Sequence, residues 1–232
     1  MAFAPSLTVV IPAFNEADNL PGVLREALDF VANPEHCRDA QVLVIDDGSS
    51  DGTPAVLRSF AAAPRLRIIT HEQNRGLTAA LRTGFFAADT EYVTWIPADG
   101  QIALPELAKI LGACHGEEDL ILSTYRRRPD GLIRMVMSRT VRLMMYVATG
   151  LVDRIEGVYL FRRRLLDEIS LVSRKSAGSI GLELAVKARA AGKRITSTEI
   201  ECAPRRSGHS KVANLRNIAS YLGEVWRIRR SL

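Results

Sequence analysis

The stretch LTVVIPAFNE, residues 7–16, decides the fold because an apolar strand at 7–11 runs directly into polar residues. The stretch VLVIDDGSSDGT, residues 42–53, repeats this order. In an open α/β sheet, the carboxyl ends of parallel strands border a crevice toward which helix amino termini point, and ligands bind there. The two stretches therefore predict a nucleotide-type ligand at that edge of a sheet.

Strand and helix patterns alternate along the rest of the chain. Apolar residues at helical spacing predict helices over residues 17–31, 54–62, 76–88, 104–114 and 214–230. Short apolar runs predict strands over residues 66–70, 92–96, 120–123, 158–161 and 194–198. Asn15 or Asp18 would cap the first helix, and Ser50 or Asp51 the second. The alternation predicts an α/β fold with a mostly parallel sheet covered by helices on both faces.

The composition favours one domain with anionic partners. A chain of 232 residues, of which 47% are hydrophobic, is long enough for one sizeable core. Its net charge of +5 favours nucleotides, phosphorylated lipids, acidic membrane surfaces or nucleic acid as partners. The basic stretches lack interleaved aromatic residues, which argues against nucleic acid.

Cysteine usage and apolar runs bear on the compartment. Cys37, Cys114 and Cys202 are isolated, and their odd number argues against a disulfide framework. Residues 1–6 lack the basic and apolar regions of a secretory signal. No uninterrupted apolar run approaches the ~20 residues that cross a bilayer. These features predict a cytosolic compartment, with the protein in solution or on a membrane surface.

Three further motifs follow in order: NRG at 74–76, ADGQ at 98–101 and RRSGHSK at 205–211. Together with the two opening stretches, they resemble family 2 glycosyltransferases of the GT-A fold. Within that family the resemblance is greatest to the dolichyl-phosphate or polyprenyl-phosphate sugar transferases. It covers residues 7 to about 212, so it is far more specific than any one motif.

The resemblance implies a GT-A glycosyltransferase domain at 1–212, including an amphipathic interfacial segment at 132–152, and a C-terminal basic amphipathic helix at 213–232. Residues 132–152 contain four of the five methionines, beside arginines, as in a helix that lies on a membrane. The same pattern fits a helix packed on the sheet or in a dimer. Trp226 beside arginines fits an interfacial anchor or an ordinary C-terminal helix.

In the resembled family, the ends of the first strands hold the base and ribose of a nucleotide sugar. The resemblance implies a nucleotide-sugar site formed by Pro12, Ala13, Asn15, Glu16, Asp46, Asp47, Gly76, Ala98 and Asp99. From the residues alone, Asn15 and residues 46–51 fit helix caps and turns as well. Gly76 would permit close backbone approach, and the helix after it would favour a phosphate.

Residues 97–101 stand where the family has its DXD element, whose carboxylates bind a divalent metal and the ribose beside the diphosphate. Pro97 occupies the first acidic position and offers no side-chain ligand. Asp99 and Gln101 remain as hard oxygen ligands suited to Mg²⁺ or Mn²⁺. A metal there would act as a Lewis acid on the leaving nucleoside diphosphate.

Two arginine-rich stretches, 126–128 and 205–211, follow predicted strands, and guanidinium groups bind phosphate with paired donors. The resemblance implies that the donor diphosphate and a lipid phosphate are held by Arg126, Arg205, Ser207 and Lys211. It implies a catalytic set of Asp99, Asp153, Arg126 and Arg205. Asp153 or Glu156 would be the general base for a sugar hydroxyl, whereas a lipid phosphate is already anionic and needs no base.

The resemblance thus implies an inverting glycosyltransferase that moves a sugar from a UDP- or GDP-sugar to polyprenyl (undecaprenyl or dolichyl) phosphate. The reaction would take place at the cytoplasmic face of the membrane. A saccharide hydroxyl as acceptor stays open, as does an inactive nucleotide-binding homologue that acts as a membrane-associated regulator. A homo-oligomer and a membrane-protein partner also stay open.

Overall fold

The computed structural model describes residues 5–126, 157–174, 179–201 and 215–232. Its strands are β1 (Ser6–Ala13), β2 (Asp39–Asp46), β3 (Leu66–Thr70), β4 (Tyr92–Trp95), β5 (Leu120–Tyr125), β6 (Tyr159–Arg162) and β7 (Ile195–Ile200). Its helices are α1 (Leu20–Ala32), α2 (Thr53–Phe60), α3 (Leu77–Ala87), α4 (Leu104–Gly112), α5 (Leu165–Glu168), α6 (Ser179–Ala190) and α7 (Leu215–Arg230).

The strands in the described part of the chain form one seven-stranded sheet in the order β3-β2-β1-β4-β6-β5-β7. Neighbouring strands run parallel except at β6, which is antiparallel to β4 and to β5. The predicted mostly parallel sheet is therefore confirmed. Because β1 and β2 pair in register up to Ala13 and Asp46, the polar residues that follow them lie at the same edge of the sheet.

Two apolar clusters cover the two faces of the sheet. Leu7, Val9 and Ile11 of β1 belong to one cluster, together with α1 and α4. Val10 belongs to the other, together with α3, α6 and α7. Helices therefore cover both faces, as predicted. Strands buried on both faces are continuous apolar runs, which is why the sequence pattern identifies them.

The first helix begins at Leu20 rather than at residue 17, and its N-cap makes no side-chain hydrogen bond. The predicted cap by Asn15 or Asp18 is therefore wrong. The Asn15 side chain is engaged elsewhere, because its oxygen accepts a hydrogen bond from the amide of Ser50 (2.9 Å). Asn15 thus links two loops at the edge of the sheet instead of starting a helix.

The sequence pattern does not predict α5 and α6. Every residue of α6 from Ser179 to Ala188 is buried, so this helix has no polar face to give an amphipathic periodicity. Within α6, the buried Lys187 ammonium pairs with the buried Glu183 carboxylate (2.8 Å). The helix therefore lies in the core, where the charges of Lys187 and Glu183 neutralise each other.

The C-terminal helix α7 packs against α6 and joins the second apolar cluster through Val225 and Ile228, which are both buried. The sequence pattern puts Trp226 on the apolar side of this helix, but its side chain is 55% exposed. No helix in the described ranges is both long enough and apolar enough to span a membrane.

Two of the three cysteines are described, and both are buried free thiols, Cys37 and Cys114. Burial raises the pKa of the Cys37 thiol to about 12. This thiol is therefore protonated at neutral pH and chemically inert. Cys202 lies outside the described residues.

Asp119 joins three elements at the edge of the sheet where β5 begins. Its Oδ1 accepts a hydrogen bond from the Arg164 guanidinium (3.0 Å), and its Oδ2 accepts one from the Arg194 amide (3.1 Å). Burial alone raises the pKa of the Asp119 carboxyl, but these hydrogen bonds lower it more, so its pKa falls below the ordinary value of 3.8. The charged form is therefore the one that stabilises the fold.

We expect Asp119→Asn to lower the free energy of unfolding by about 1 kcal/mol at pH 7, a modest value because Arg164 is solvent-exposed. A lowered folded-state pKa gives stability that is present above pH ~4 and lost as the pH falls further. Urea unfolding at several pH values checks this. A difference between wild type and variant that stays constant down to pH ~2 would contradict it.

Candidate active site

A cavity of about 430 Å³ opens at the carboxyl edge of the sheet, between the ends of β1, β2 and β4. We call it the strand-end cavity. Of the residues predicted to form the site, it is lined by Pro12, Ala13, Glu16, Asp47, Gly76, Ala98, Asp99 and Gln101. Segments far apart in the sequence therefore meet in one pocket.

The other predicted site residues fall into two groups. Asn15 and Asp46 lie outside the lining of the strand-end cavity, and Asp46 accepts the Ser49 amide through Oδ1 (3.0 Å). Arg126 is exposed and directly follows Tyr125, which lines the cavity. The remainder lie outside the described residues: Asp153, Glu156, Arg205, Ser207, Lys211 and the segment 132–152.

Asp47 is a buried carboxylate that positions the turn after β3. It accepts hydrogen bonds from the amides of Arg75 (3.0 Å) and Gly76 (2.7 Å). Gly76 has φ 87° and ψ 157°, a conformation open essentially to glycine, and it precedes α3 directly. The Asp47 carboxylate therefore holds the start of α3 against the strand-end cavity.

His71 is a residue of this region that the sequence pattern does not single out. It follows β3, and its Nδ1 lies 2.7 Å from Asp47 Oδ1. Its Nε2 lies 2.9 Å from the Thr83 hydroxyl on α3. The buried imidazole thus joins Asp47 to α3. An isolated histidine after a strand gives no pattern in one sequence, so only the folded structure identifies this link.

The loops after β1 and β2 are tied together by side chains. The Asn15 amide donates to Ser49 Oγ (3.0 Å), and the Glu16 amide donates to Thr53 Oγ1 (2.9 Å). The N-cap of α2 is Gly52 and makes no side-chain hydrogen bond, so the predicted cap by Ser50 or Asp51 is wrong. Asp51 instead lies one residue earlier and accepts the amide of Thr53 (2.9 Å). Of the stretch DDGSSDGT, Asp47 lines the strand-end cavity, and the hydrogen bonds of Ser49, Asp51 and Thr53 fix the loops beside it.

Asp99 and Gln101 line the strand-end cavity after β4. Asp99 is only 8% exposed, and its Oδ1 accepts the Gln101 amide (3.1 Å). Among the described residues, no cluster of three or more His, Cys, Asp or Glu side chains is arranged to hold a metal ion. Mg²⁺ commonly uses one or two protein oxygens together with substrate phosphates. The carboxylate and the amide oxygen therefore fit a metal that is shared with a diphosphate.

The indole N–H of Trp95, a residue that lines the cavity, lacks a hydrogen-bond partner in the part of the chain that the structure describes. Trp95 lines the strand-end cavity, and its Nε1 is buried with no hydrogen-bond partner among the described residues. Its ring contacts Tyr159 edge-on, with 6.1 Å between centroids. A buried N–H without an acceptor is costly.

Comparison with known proteins identifies the family of this chain. The family described as glycosyl transferase family 2 matches residues 8–170, and the chain belongs to that family. The protein is accordingly a glycosyltransferase.

Relatives match nearly the whole chain. It is 31% identical over 233 residues to an uncharacterized glycosyltransferase of Mycobacterium tuberculosis (strain ATCC 25618 / H37Rv), covering 96% of this chain and 97% of that one. It is 30% identical over 241 residues to the polyprenol monophosphomannose synthase of Mycolicibacterium smegmatis, covering 97% and 88%. It is 28% identical over 209 residues to the undecaprenyl-phosphate 4-deoxy-4-formamido-L-arabinose transferase of Aeromonas hydrophila, covering 88% and 62%.

A solved structure shares the fold. The mannosyltransferase PcManGT from Pyrobaculum calidifontis, in complex with GDP-Man and Mn²⁺, superposes with a TM-score of 0.66 at 22% identity. The match covers 98% of this chain and 61% of that one. The predicted GT-A fold is therefore confirmed.

Proposed function

We propose that this glycosyltransferase moves a sugar from a nucleotide sugar to the phosphate of a polyprenyl lipid. The observation that carries the proposal is the strand-end cavity, which Asp47, Gly76, Asp99 and Gln101 all line. Two of the relatives are named for different sugars but for the same kind of lipid phosphate. We therefore infer the acceptor, a polyprenyl phosphate, from these relatives, but not the sugar.

The donor nucleoside would lie between the ends of β1 and β2, against Pro12, Ala13 and Glu16. Asp47 would act on the donor indirectly. Its carboxylate already accepts a hydrogen bond from the Gly76 amide (2.7 Å) and so holds the turn that would border the donor. The base is uracil or guanine in this proposal. The amino terminus of α3 favours the negative charge of the diphosphate.

Asp99 and Gln101 would hold Mg²⁺ or Mn²⁺ together with the donor diphosphate. Such an ion supplies Lewis-acid stabilisation of the nucleoside diphosphate as it leaves. Pro97 also lines the cavity but contributes no ligand. The chain therefore relies on a single carboxylate at this motif, which makes the charge of Asp99 decisive.

The acceptor phosphate oxygen is anionic at neutral pH, so it would attack the anomeric carbon without a general base. Attack opposite the leaving diphosphate inverts that carbon. The exposed Arg126, next to the cavity-lining Tyr125, is suited to bind one of the phosphates. Arg205, Ser207 and Lys211 complete the proposed phosphate ligands, and Asp153 would orient one of the arginines. We propose the cytoplasmic face of the membrane as the location.

The test is product formation from a panel of UDP- and GDP-sugars with undecaprenyl phosphate in vesicles, with and without Mg²⁺ or Mn²⁺. The expected result is metal-dependent transfer from one of these donors. A matched reaction replaces undecaprenyl phosphate with undecaprenol, which offers a hydroxyl in place of the phosphate. Equal transfer to both lipids, or donor binding without any transfer, would contradict the proposal.

Trp95→Phe is expected to weaken donor binding by about fivefold, the value of one hydrogen bond, if Nε1 donates to the bound donor. The same change removes an unsatisfied buried N–H and keeps an aromatic ring, so the free energy of unfolding should change by less than ~1 kcal/mol. Calorimetry with UDP and GDP and urea unfolding measure the two quantities. Unchanged affinity for UDP and for GDP would show that Nε1 does not contact the nucleoside diphosphate of the donor.

A further inference from the structure

A second concave surface, of about 770 Å³, lies on the outer side of α3. We call it the arginine cleft because its lining includes Arg75, Arg82, Arg174, Arg227 and Arg230. Three separate segments supply these side chains: the start and body of α3, the chain after α5, and the end of α7. Their convergence is a product of the fold, since the five arginines span more than half of the sequence.

Positive charge in the arginine cleft exceeds the negative charge. Among the residues that the structure describes, Glu224 is the carboxylate that forms an ion pair with one of these arginines, Arg227. Residues 175–178, which follow Arg174 in the chain, contain a lysine and no acidic residue. Guanidinium groups that outnumber their counter-ions in a concave surface attract an anion and bind phosphate with paired donors.

Buried carboxylates fix one wall of the cleft. Glu183 accepts hydrogen bonds from the amides of Val172 (2.6 Å) and Ser173 (2.8 Å). Glu224 accepts the amide of Arg174 (2.9 Å). Both carboxylates are thus used inside the fold to hold backbone amides. These hydrogen bonds fix the backbone of residues 172–174, whereas four of the five arginine side chains are exposed at the surface.

Exposed aromatic side chains border the arginines. Phe86 lines the cleft and is 45% exposed. Trp226 is 55% exposed, and the Arg230 guanidinium lies over its ring, 3.3 Å from the centroid. Among the side chains whose burial the structure describes, which leave out residues 215–220 and 222, the exposed large apolar ones are these two and Leu232, next to the cleft residue Ser231. Exposed aromatic rings beside arginines are typical of the interface between membrane and water.

We propose that the arginine cleft binds the phosphate groups of anionic phospholipids and so holds the enzyme on a membrane surface. The inference rests on the proposed function only in taking a membrane as the place of reaction. The two sites adjoin, because Arg75 lines the cleft and the next residue, Gly76, lines the strand-end cavity. Headgroups bound in the cleft would therefore bring the cavity close to the lipid layer.

The test is binding of the full chain to vesicles, without donor or polyprenyl phosphate. Vesicles of phosphatidylcholine are compared with vesicles that also contain about 30 mol% phosphatidylglycerol, which supplies the negative surface charge. Arg174→Gln with Arg230→Gln is expected to weaken binding to the anionic vesicles about 30-fold, roughly fivefold for each arginine. Arg58→Gln with Arg194→Gln removes the same charge from exposed positions outside the cleft and should weaken binding less than about threefold.

Trp226 gives a local signal for the same event. The chain has two tryptophans, so Trp95→Phe leaves Trp226 as the single fluorophore. Its emission should shift to shorter wavelength when anionic vesicles are added, because the indole leaves water for the interface. Phosphatidylcholine vesicles should cause no shift.

Three results would overturn this inference. The first is equal loss of binding in the two arginine pairs, and the second is equal binding to both kinds of vesicle. The third is binding of inorganic phosphate that Arg174→Gln with Arg230→Gln abolishes, without binding to vesicles, which would assign the cleft to a soluble phosphate. None of these measurements requires sugar transfer, so their results do not depend on whether the proposed reaction is correct.

Discussion

Asp99→Asn is expected to reduce sugar transfer by about 10³-fold while the free energy of unfolding stays nearly unchanged. The side chain of Asp99 is buried in the wall of the strand-end cavity. Asparagine retains an oxygen that can accept the Gln101 amide, as Asp99 Oδ1 does at 3.1 Å. The variant therefore loses the negative charge that the proposed divalent ion requires, and it keeps the local fold. The rate of product formation over a Mn²⁺ titration measures the effect.

Asp119→Asn is the matched control for this prediction. Asp119 precedes β5, at the opposite edge of the sheet from Asp99, and it accepts hydrogen bonds as Asp99 does. We expect this control to lose stability and to keep transfer within about twofold once corrected for the folded fraction. If Asp99→Asn keeps more than about a tenth of the wild-type rate, then Asp99 is not the metal ligand that the proposal requires.

Gly48→Ala is expected to lower the free energy of unfolding by about 2–5 kcal/mol, the sum of backbone strain and overpacking. Gly48 has φ +71°, and a Cβ there would lie 2.5 Å from the carbonyl carbon of Gln73 and 2.7 Å from the Asn74 nitrogen. These are backbone atoms of the turn that Asp47 holds, so they cannot move aside as a flexible side chain would. Donor affinity should fall as well, because this turn leads into Gly76.

Gly192→Ala separates the two causes. Gly192 has φ +67°, close to that of Gly48, but a Cβ there would meet no atom within 4 Å. It should therefore cost only the conformational term, about 1 kcal/mol, and leave donor affinity unchanged. Urea unfolding and calorimetry with the nucleotide compare the two variants. Equal costs would show that the loops after β2 and β3 are not closely packed.

The sequence predicts the sheet well because its central strands are buried on both faces and form continuous apolar runs, while the partly exposed edge strands β3 and β7 carry the β-branched residues that favour strands. β3 was predicted at its observed limits, Leu66–Thr70, and the other strands within three residues at each end. The polar ends of β1 and β2 could also be placed together, since parallel neighbours end at the same edge. The helix α6 could not be predicted, because a helix buried on all sides lacks the amphipathic period.

For the candidate site as well, some residues could be predicted from the sequence and others could not. Pro12, Glu16, Asp99 and Gln101 could be selected because they stand in motifs after strands, and they line the strand-end cavity. The exclusion of Asp46 from that cavity, and the link from Asp47 through His71 to Thr83, could not be predicted. Both depend on side-chain direction, which the order of residues does not specify.

By itself, the sequence determined the seven described strands, five of the seven described helices, the edge of the sheet that bears the polar residues, and the family. These follow from local patterns, since burial on a strand or helix repeats with a fixed period. The tertiary structure alone decided which polar groups meet. It joined the turn after β3 to the buried Asp47 carboxylate, and it gathered arginines from three distant segments into one cleft. Such long-range contacts arise from how the elements pack, and no local period encodes them.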